Sequence, residues 1–517
     1  MIRNEKLFGI LIICLSLLIL FPKNINTLFY YDDNPIRFMV AKKIASGNIN
    51  SMEEFMPLLS FGSAEIYIPS FLISRIFNIK SDELVYNLTS LFYFVLSCLL
   101  LIFFLDKNKK ILQIEGFYKN NIHSDNAHIP GFAYILVIFC FLGISAVVGG
   151  HIHWLFCCSL FTIVCSKISL SQKLKLDTLD YIILGIAHFI SPPLAIFSVI
   201  FSLTEKRIDI FLIAFASCLI KFFPFVIILK YIKIFASQEI SQENFILSDK
   251  LFLPADFMGI LRFLTVDYFK LSSIFAPLIY IVAFRSIFTA KRTFILFAFL
   301  YYFIILLNII IFKLWDTGVL IPKFLIVFSI LNFAPNPTRF IPLFLTFFLL
   351  YIKKIKFDDY FKIIALLFFL TRAFLSIYGF RPLPERFPES VNSVIKYIIN
   401  NTNDKDKILV EGDKHIFEKG KLIHPLYNSH ILPYIIAKVE NRNFVGTGTP
   451  WEPFYSPFIA GKFKGKSLDK SQILRFISEN DIKHILCWTD ECEIFFRNLG
   501  KKIVVIDKFK IIHLQEQ

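Results

Sequence analysis

Two adjacent carboxylates open the chemistry of this chain. Asp32 and Asp33 lie in "TLFYYDDNPIRFMVAKKIASGN", residues 27–48, directly after the first apolar run. Like charges side by side repel, which favours one shared proton or one bound cation between them. The pair therefore suits general-base work, or oxygen ligation of Mg²⁺ or Mn²⁺. The plainer role is that one Asp caps the following helix while the other is solvated, and the residues alone leave both open.

Other residues with chemical potential are scattered. Glu65, in "GSAEIYIP", stands before a return to apolar sequence and is either part of a pocket lining or an ordinary loop acid beside an interfacial tyrosine. His151 and His153, in "VVGGHIHW", form a pair that can ligate a metal or relay a proton, or that simply sits at an interface next to Trp154. Arg339 heads an apolar run in "NPTRFIP", where a guanidinium suits bidentate phosphate binding or plain anchoring at a membrane surface. Asp256 and Asp267, with Asp249, offer a further base or ligand, and their spacing singles out none. His188 precedes "ISPP" and is either a functional intramembrane histidine or, the better fit, a packed one that bonds carbonyls freed by the prolines.

These residues need a frame, and composition names its kind. The chain has 517 residues, of which 56% are hydrophobic and only 18% charged, and its mean hydropathy is +0.62. Apolar runs of roughly 20 residues recur, the length that spans a bilayer as a helix. The net charge of +15 sits mostly in short basic loops, 106–119, 167–175 and 285–292, which fits the positive-inside rule better than nucleic-acid binding. Candidate spans fall near 7–22, 86–105, 131–149, 153–168, 180–203, 208–232, 272–288, 294–312, 319–333, 339–352 and 360–378. Pro192 and Pro193 break one of them, into a kinked span or a short re-entrant pair. The expectation is an integral, multi-pass α-helical membrane protein of about 11–13 transmembrane helices over residues 1–379. Its outer loop 23–85 should carry a short surface amphipathic helix, opened by Asn34 and Pro35 and stopped at Gly47.

From about residue 380 the pattern changes. After Pro382, Pro384 and Pro388 come short apolar strands alternating with helical stretches: "KILVEG", "SHILPYIIAKV", "NFVGTG", "LDKSQILRFISEN" with Asp469 near its cap, "IKHILCW", "KKIVVID" and "FKIIHL". The alternation predicts a small α/β domain over 380–517. Seven of the nine cysteines lie in apolar runs as packing residues. Cys487 and Cys492 lie in this tail and either pair, if it faces an oxidising compartment, or stay as two free thiols.

With the first apolar run, "YYDD", the short helix after it, and the "RF" at 339–340 in view, the chain resembles the GT-C superfamily of integral-membrane glycosyltransferases, which take sugars from polyprenyl-phosphate carriers. The tail stretches "GTPWEPFYSPF" and "ISENDIKHILCW" are similar to soluble domains of GT-C-like proteins. The resemblance implies Asp33 or Asp32 as catalytic base or metal ligand, and Arg339 on the carrier phosphate. Relatives with a second acidic motif carry it at the third-to-fourth span turn; here that turn holds His151 and His153, so the use of a metal stays open. It further implies a soluble tail on the extracytoplasmic side, with Trp451 and Glu452 shaping an acceptor site or simply folding a loop. The partners implied are the bilayer, a polyprenyl-phosphate sugar and a glycan, lipid or protein acceptor of the cell envelope. Two other classes compete: a transporter or flippase of a lipid-linked saccharide, and a non-catalytic membrane scaffold.

Overall fold

A computed structural model describes residues 5–20, 34–47, 64–114, 132–170, 176–222, 358–377, 389–412, 431–439 and 469–514, with single residues and short pieces between them. Asp32, Asp33, Asp249, Asp256, Asp267, Arg339, Trp451 and Glu452 lie outside the described residues.

The N-terminal part is helical. Helix α1 (Glu5–Leu20) packs against α5 (Phe132–Gly149) and α10 (Asp358–Ile377). Ser376 donates its hydroxyl to the carbonyl of Ile19 at 3.1 Å, and Tyr134 stacks on Phe361 at 3.7 Å between ring centres. A second layer joins the long α4 (Asp82–Ile114) to α6 (Ile152–Leu170), which in turn packs on α7 (Thr178–Ile190). Gly143 is what lets α5 approach α4: a Cβ there would stand 2.1 Å from the Phe94 ring. The proline pair breaks the helix as its geometry demands. Helix α7 ends at Ile190, Pro192–Leu194 form a 3₁₀ turn, and α8 (Ala195–Glu205) resumes before α9 (Ile208–Phe222). His188 staples this break. Its Nδ1 lies 2.5 Å from the Leu184 carbonyl and its Nε2 lies 2.7 Å from Ser198 Oγ, and the ring is fully buried.

The expected architecture needs correction here. Among the described residues, two helical stretches are long and apolar enough to cross a membrane, Asp82–Phe103 (22 residues) and Tyr360–Ile377 (18 residues). A multi-span membrane protein with about 11–13 crossings is therefore not supported. Several runs expected as spans resolve into shorter apolar helices, such as Lys6–Leu20, Ile152–Cys165 and Thr178–Ile190. Helices of 10–17 residues reach only about 15–25 Å, short of a hydrocarbon core of about 30 Å. Much of their apolar surface is spent on one another: Ile12 and Leu20 of α1, Cys157 and Phe161 of α6 and Leu184 of α7 are fully buried. Hydropathy counts greasy residues without saying whether lipid or protein covers them.

Helix α2 (Asn34–Ser46) forms where Pro35 and Gly47 predict it, and Gly47 takes the left-handed backbone, φ 68°, that stops it. It does not lie on a surface. Nine of its residues, from Asn34 through Ala41 and Ala45, are buried, because the helix is wedged between α3 (Ile68–Ile76), α4 and the C-terminal part.

The C-terminal part carries a five-stranded mixed sheet. Strands β1 (Lys407–Val410), β2 (Asn443–Val445), β3 (Ile482–Cys487), β4 (Lys502–Ile506) and β5 (Phe509–His513) lie in the order β2-β1-β3-β5-β4. β2, β1 and β3 are parallel, while β5 runs antiparallel to both β3 and β4. Helices α11 (Glu389–Asn401), α12 (Leu432–Lys438), α13 (Lys470–Glu479) and α14 (Asp490–Asn498) alternate with the strands. Asp469 caps α13 through the Ser471 amide at 2.9 Å.

Candidate functional site

One set of buried polar residues in the helical part gathers at the α5–α6 turn. Helix α5 ends through Gly150, whose φ of +76° lets the His151 amide reach back to the Ala146 carbonyl at 2.7 Å. That closure leaves carbonyls of the last turn in need of donors. Asn34 supplies them: its side-chain amide donates to Val147 O at 3.2 Å and also to Val148 O. Its Oδ1 accepts from the Tyr86 hydroxyl at 2.9 Å. Asn34 was expected to cap α2; instead its side chain is the cap of a different helix.

Around this anchor the core turns polar. Tyr67 stacks on Tyr86 at 4.2 Å, and its hydroxyl lies 3.1 Å from Ser90 Oγ. Burial pushes the Tyr67 phenol above its ordinary range, opposed by the Ser90 and Tyr86 hydrogen bonds and by the charge of nearby Arg37. Arg37, one turn after Asn34, is itself buried at 7% exposure. A helix lying on a surface would leave Arg37 solvated; here it is enclosed. Its i,i+3 spacing from Asn34 is the signal that could have placed the two together.

His151 and His153 are both buried beside this anchor, with ring centres 6.4 Å apart. Among the described residues no further His, Cys or carboxylate completes a three-ligand set with them. Glu65 stands in the turn that leads into α3. It forms an ion pair with Lys221 at the end of α9, whose Nζ stands 5.4 Å from the Phe189 ring centre. Cys157, one helical turn after His153, feels both charges: burial holds its thiol above the usual range, with Lys221 lowering it and Glu65 raising it. Glu65 also borders a cavity of about 480 Å³ walled by Tyr93, Ile182, Phe189, Ser217 and Ile220. An apolar cleft with few polar groups at one end is the usual form of a ligand site.

Helix α2 is held from the other side by the C-terminal part. Tyr434 of α12 lies 6.0 Å from the Phe38 ring and donates its hydroxyl to Glu83 at 3.0 Å; Lys438 pairs with the same carboxylate. Glu83 sits in the first turn of α4, where the helix dipole favours a negative charge.

In the sheet, Glu411 is fully buried at the end of β1. Its carboxylate accepts from the Trp488 amide at 2.9 Å, the Thr489 amide at 3.0 Å and the Thr489 hydroxyl at 2.5 Å. Cys487 and Cys492 are joined by a disulfide across this loop. Glu411, Cys487 and Cys492 are close enough to share a metal ion, but the disulfide takes up both sulfurs.

Compared with protein-family models, with characterised proteins and with solved structures, the chain matches none. What the fold itself gives is coarser: among the described residues, two helices long and apolar enough to cross a membrane, and a C-terminal mixed sheet.

Proposed function

We propose that this chain is a membrane-associated glycosyltransferase that takes a sugar from a polyprenyl-phosphate carrier and acts on the extracytoplasmic side. The observation that carries the reading is the anchoring of Asn34 to the α5–α6 turn. It ties the chain directly after the Asp32–Asp33 pair to a buried polar cluster that includes Arg37, Tyr67, His151 and His153. A buried guanidinium and a neighbouring acid pair are what phosphate departure and proton abstraction require. The Cys487–Cys492 disulfide supports an oxidising, extracytoplasmic setting for the tail.

In the proposed reaction Asp33 takes the proton of an acceptor hydroxyl as that oxygen attacks the anomeric carbon. The bond from that carbon to the carrier phosphate breaks, and the phosphate leaves with the electron pair, giving inversion in a single displacement. Arg339 is one guanidinium suited to the leaving phosphate, and Arg37 is the second. General-base assistance contributes about 10²- to 10⁴-fold. Purified protein given radiolabelled polyprenyl-phosphate sugar should release the label from the lipid, and Asp33→Asn should lose most of that release while folding normally. Full release by the variant removes Asp33 from the mechanism. No release with any sugar, together with movement of the lipid between leaflets, would favour the transporter class instead.

A further inference from the structure

Two inner strands of the C-terminal sheet hold a pair of histidines that the proposed transfer reaction does not use. His484 of β3 and His513 of β5 are register partners on antiparallel strands, so their side chains rise from the same face. The rings meet edge to face, 85° apart, with centres separated by 4.9 Å. Two imidazoles on one tetrahedral ion, with metal–nitrogen bonds of about 2.0–2.1 Å, hold their ring centres about 5 Å apart.

Each ring is also held by its Nε2. His484 Nε2 lies 3.2 Å from the Asp406 carboxylate, and His513 Nε2 lies 2.9 Å from the Tyr397 hydroxyl. A carboxylate can only accept, so it fixes the neutral His484 ring with its proton on Nε2 and a bare lone pair on Nδ1. That Nδ1 is buried and has no hydrogen-bond partner, in a residue only 8% exposed. A buried acceptor left unsatisfied costs stability unless something occupies it. Carboxylate on one ring nitrogen and metal on the other is the common arrangement of ligating histidines. His513 is only partly buried, which leaves an approach from solvent.

We propose that His484 and His513 form a two-imidazole site for a divalent first-row transition ion of the zinc or copper class, with Asp406 and Tyr397 as positioning residues and water completing the coordination. Imidazole nitrogen favours these ions over Mg²⁺ or Ca²⁺.

The test uses the untagged full-length chain in detergent, stripped with a chelator. Zn²⁺ titrated by calorimetry should bind with one more ion per chain than in the His484→Ala/His513→Ala double variant. Asp406→Asn should weaken that ion by about 10- to 100-fold. Cu²⁺ added to the unsubstituted protein should give a paramagnetic spectrum with coupling to two imidazole nitrogens, a reading that does not depend on how the variants fold. Equal zinc stoichiometry in the double variant, or a copper spectrum without imidazole coupling, overturns the proposal. Neither readout involves sugar transfer, so the outcome is separate from that of the glycosyltransferase assay.

Discussion

Asn34 and Val147 stand 113 positions apart in the chain, yet the side-chain amide of one donates to the carbonyl of the other at 3.2 Å. The bond joins the start of α2 to the end of α5. It ties the helix that follows the acidic pair in sequence to the turn that carries His151.

Asn34→Ala should lower stability by about 2–3 kcal/mol. The substitution removes three buried hydrogen bonds and leaves the Val147 and Val148 carbonyls and the Tyr86 hydroxyl to find other partners. Asn34→Asp should not restore the wild-type level, because a carboxylate can accept from Tyr86 but cannot donate to the carbonyls. Thermal unfolding in detergent measures both, and label release should fall in parallel if Asp33 depends on this anchor. Wild-type stability in the alanine variant would show that the anchor is dispensable.

Gly143→Ala tests the α4–α5 approach. A methyl group would meet the Phe94 ring at 2.1 Å, so one helix must move or the ring must leave its rotamer. Overpacking of this kind costs about 1–3 kcal/mol. Adding Phe94→Leu should recover part of the loss, a non-additivity that the double-mutant cycle reads directly.

The C-terminal sheet and the places of many helices were legible in the sequence, while what covers those helices was not, for one physical reason. "IKHILCW" and "KKIVVID" are short apolar runs fenced by turn residues, and only a strand fits that length; β3 and β4 lie there. Pro192, Pro193 and Gly47 also announced their breaks, because backbone geometry is local. What covers an apolar helix is not local. "LFGILIICLSLLIL" reads the same whether lipid or α5 and α10 face it. The errand of the Asn34 amide depends on carbonyls of α5 that lie 113 and 114 residues later, and no window of sequence contains both ends.

Acid should loosen the α7–α9 junction. Arg207 donates to Asp209 at 2.9 Å, and Tyr181 donates to it at 2.5 Å. These contacts, with Arg207 foremost, lower the Asp209 carboxyl to about 2. A carboxyl depressed on folding adds stability that is complete above its ordinary value of about 3.9 and is lost as pH falls from there toward 2. Asp209→Asn should flatten the stability profile over that window and leave the profile near neutrality almost parallel to wild type. An unchanged acid limb would remove this pair as its source.

Glu411→Gln addresses the loop between β3 and α14. The neutral amide can keep its oxygen on the Trp488 and Thr489 amides, which share one carboxylate oxygen, and turn its NH₂ to the Thr489 hydroxyl, so the variant loses the charge that strengthens these bonds. Hydrogen bonds to a charged group contribute about 1.5–3 kcal/mol each. The disulfide that closes the same loop adds roughly 2 kcal/mol by the chain-entropy relation for so short a ring. Reductant should therefore lower the melting temperature of the wild type. It should do nothing further to a Cys487→Ser/Cys492→Ser variant, whose midpoint should already match that of the reduced protein.

The contact of α12 with α4 should couple the sheet to the helical part. Glu83 receives both the Tyr434 hydroxyl and the Lys438 ammonium, and it sits at the N-terminus of α4, where its charge is already favoured. Tyr434→Phe alone should cost about 1 kcal/mol, since Lys438 still neutralises the carboxylate. Lys438→Met should cost a similar amount for the matching reason. Removing both leaves a buried carboxylate with neither partner, so the double variant should lose more than the two singles together, by about 0.5–3 kcal/mol. Because α12 also packs on Phe38, in the helix that carries Asn34 and Arg37, the double variant should lose label release in excess of its loss of folded protein. Additive stabilities with unaltered release per folded molecule would mean that the sheet is merely attached to the helices and does not hold α2 in place.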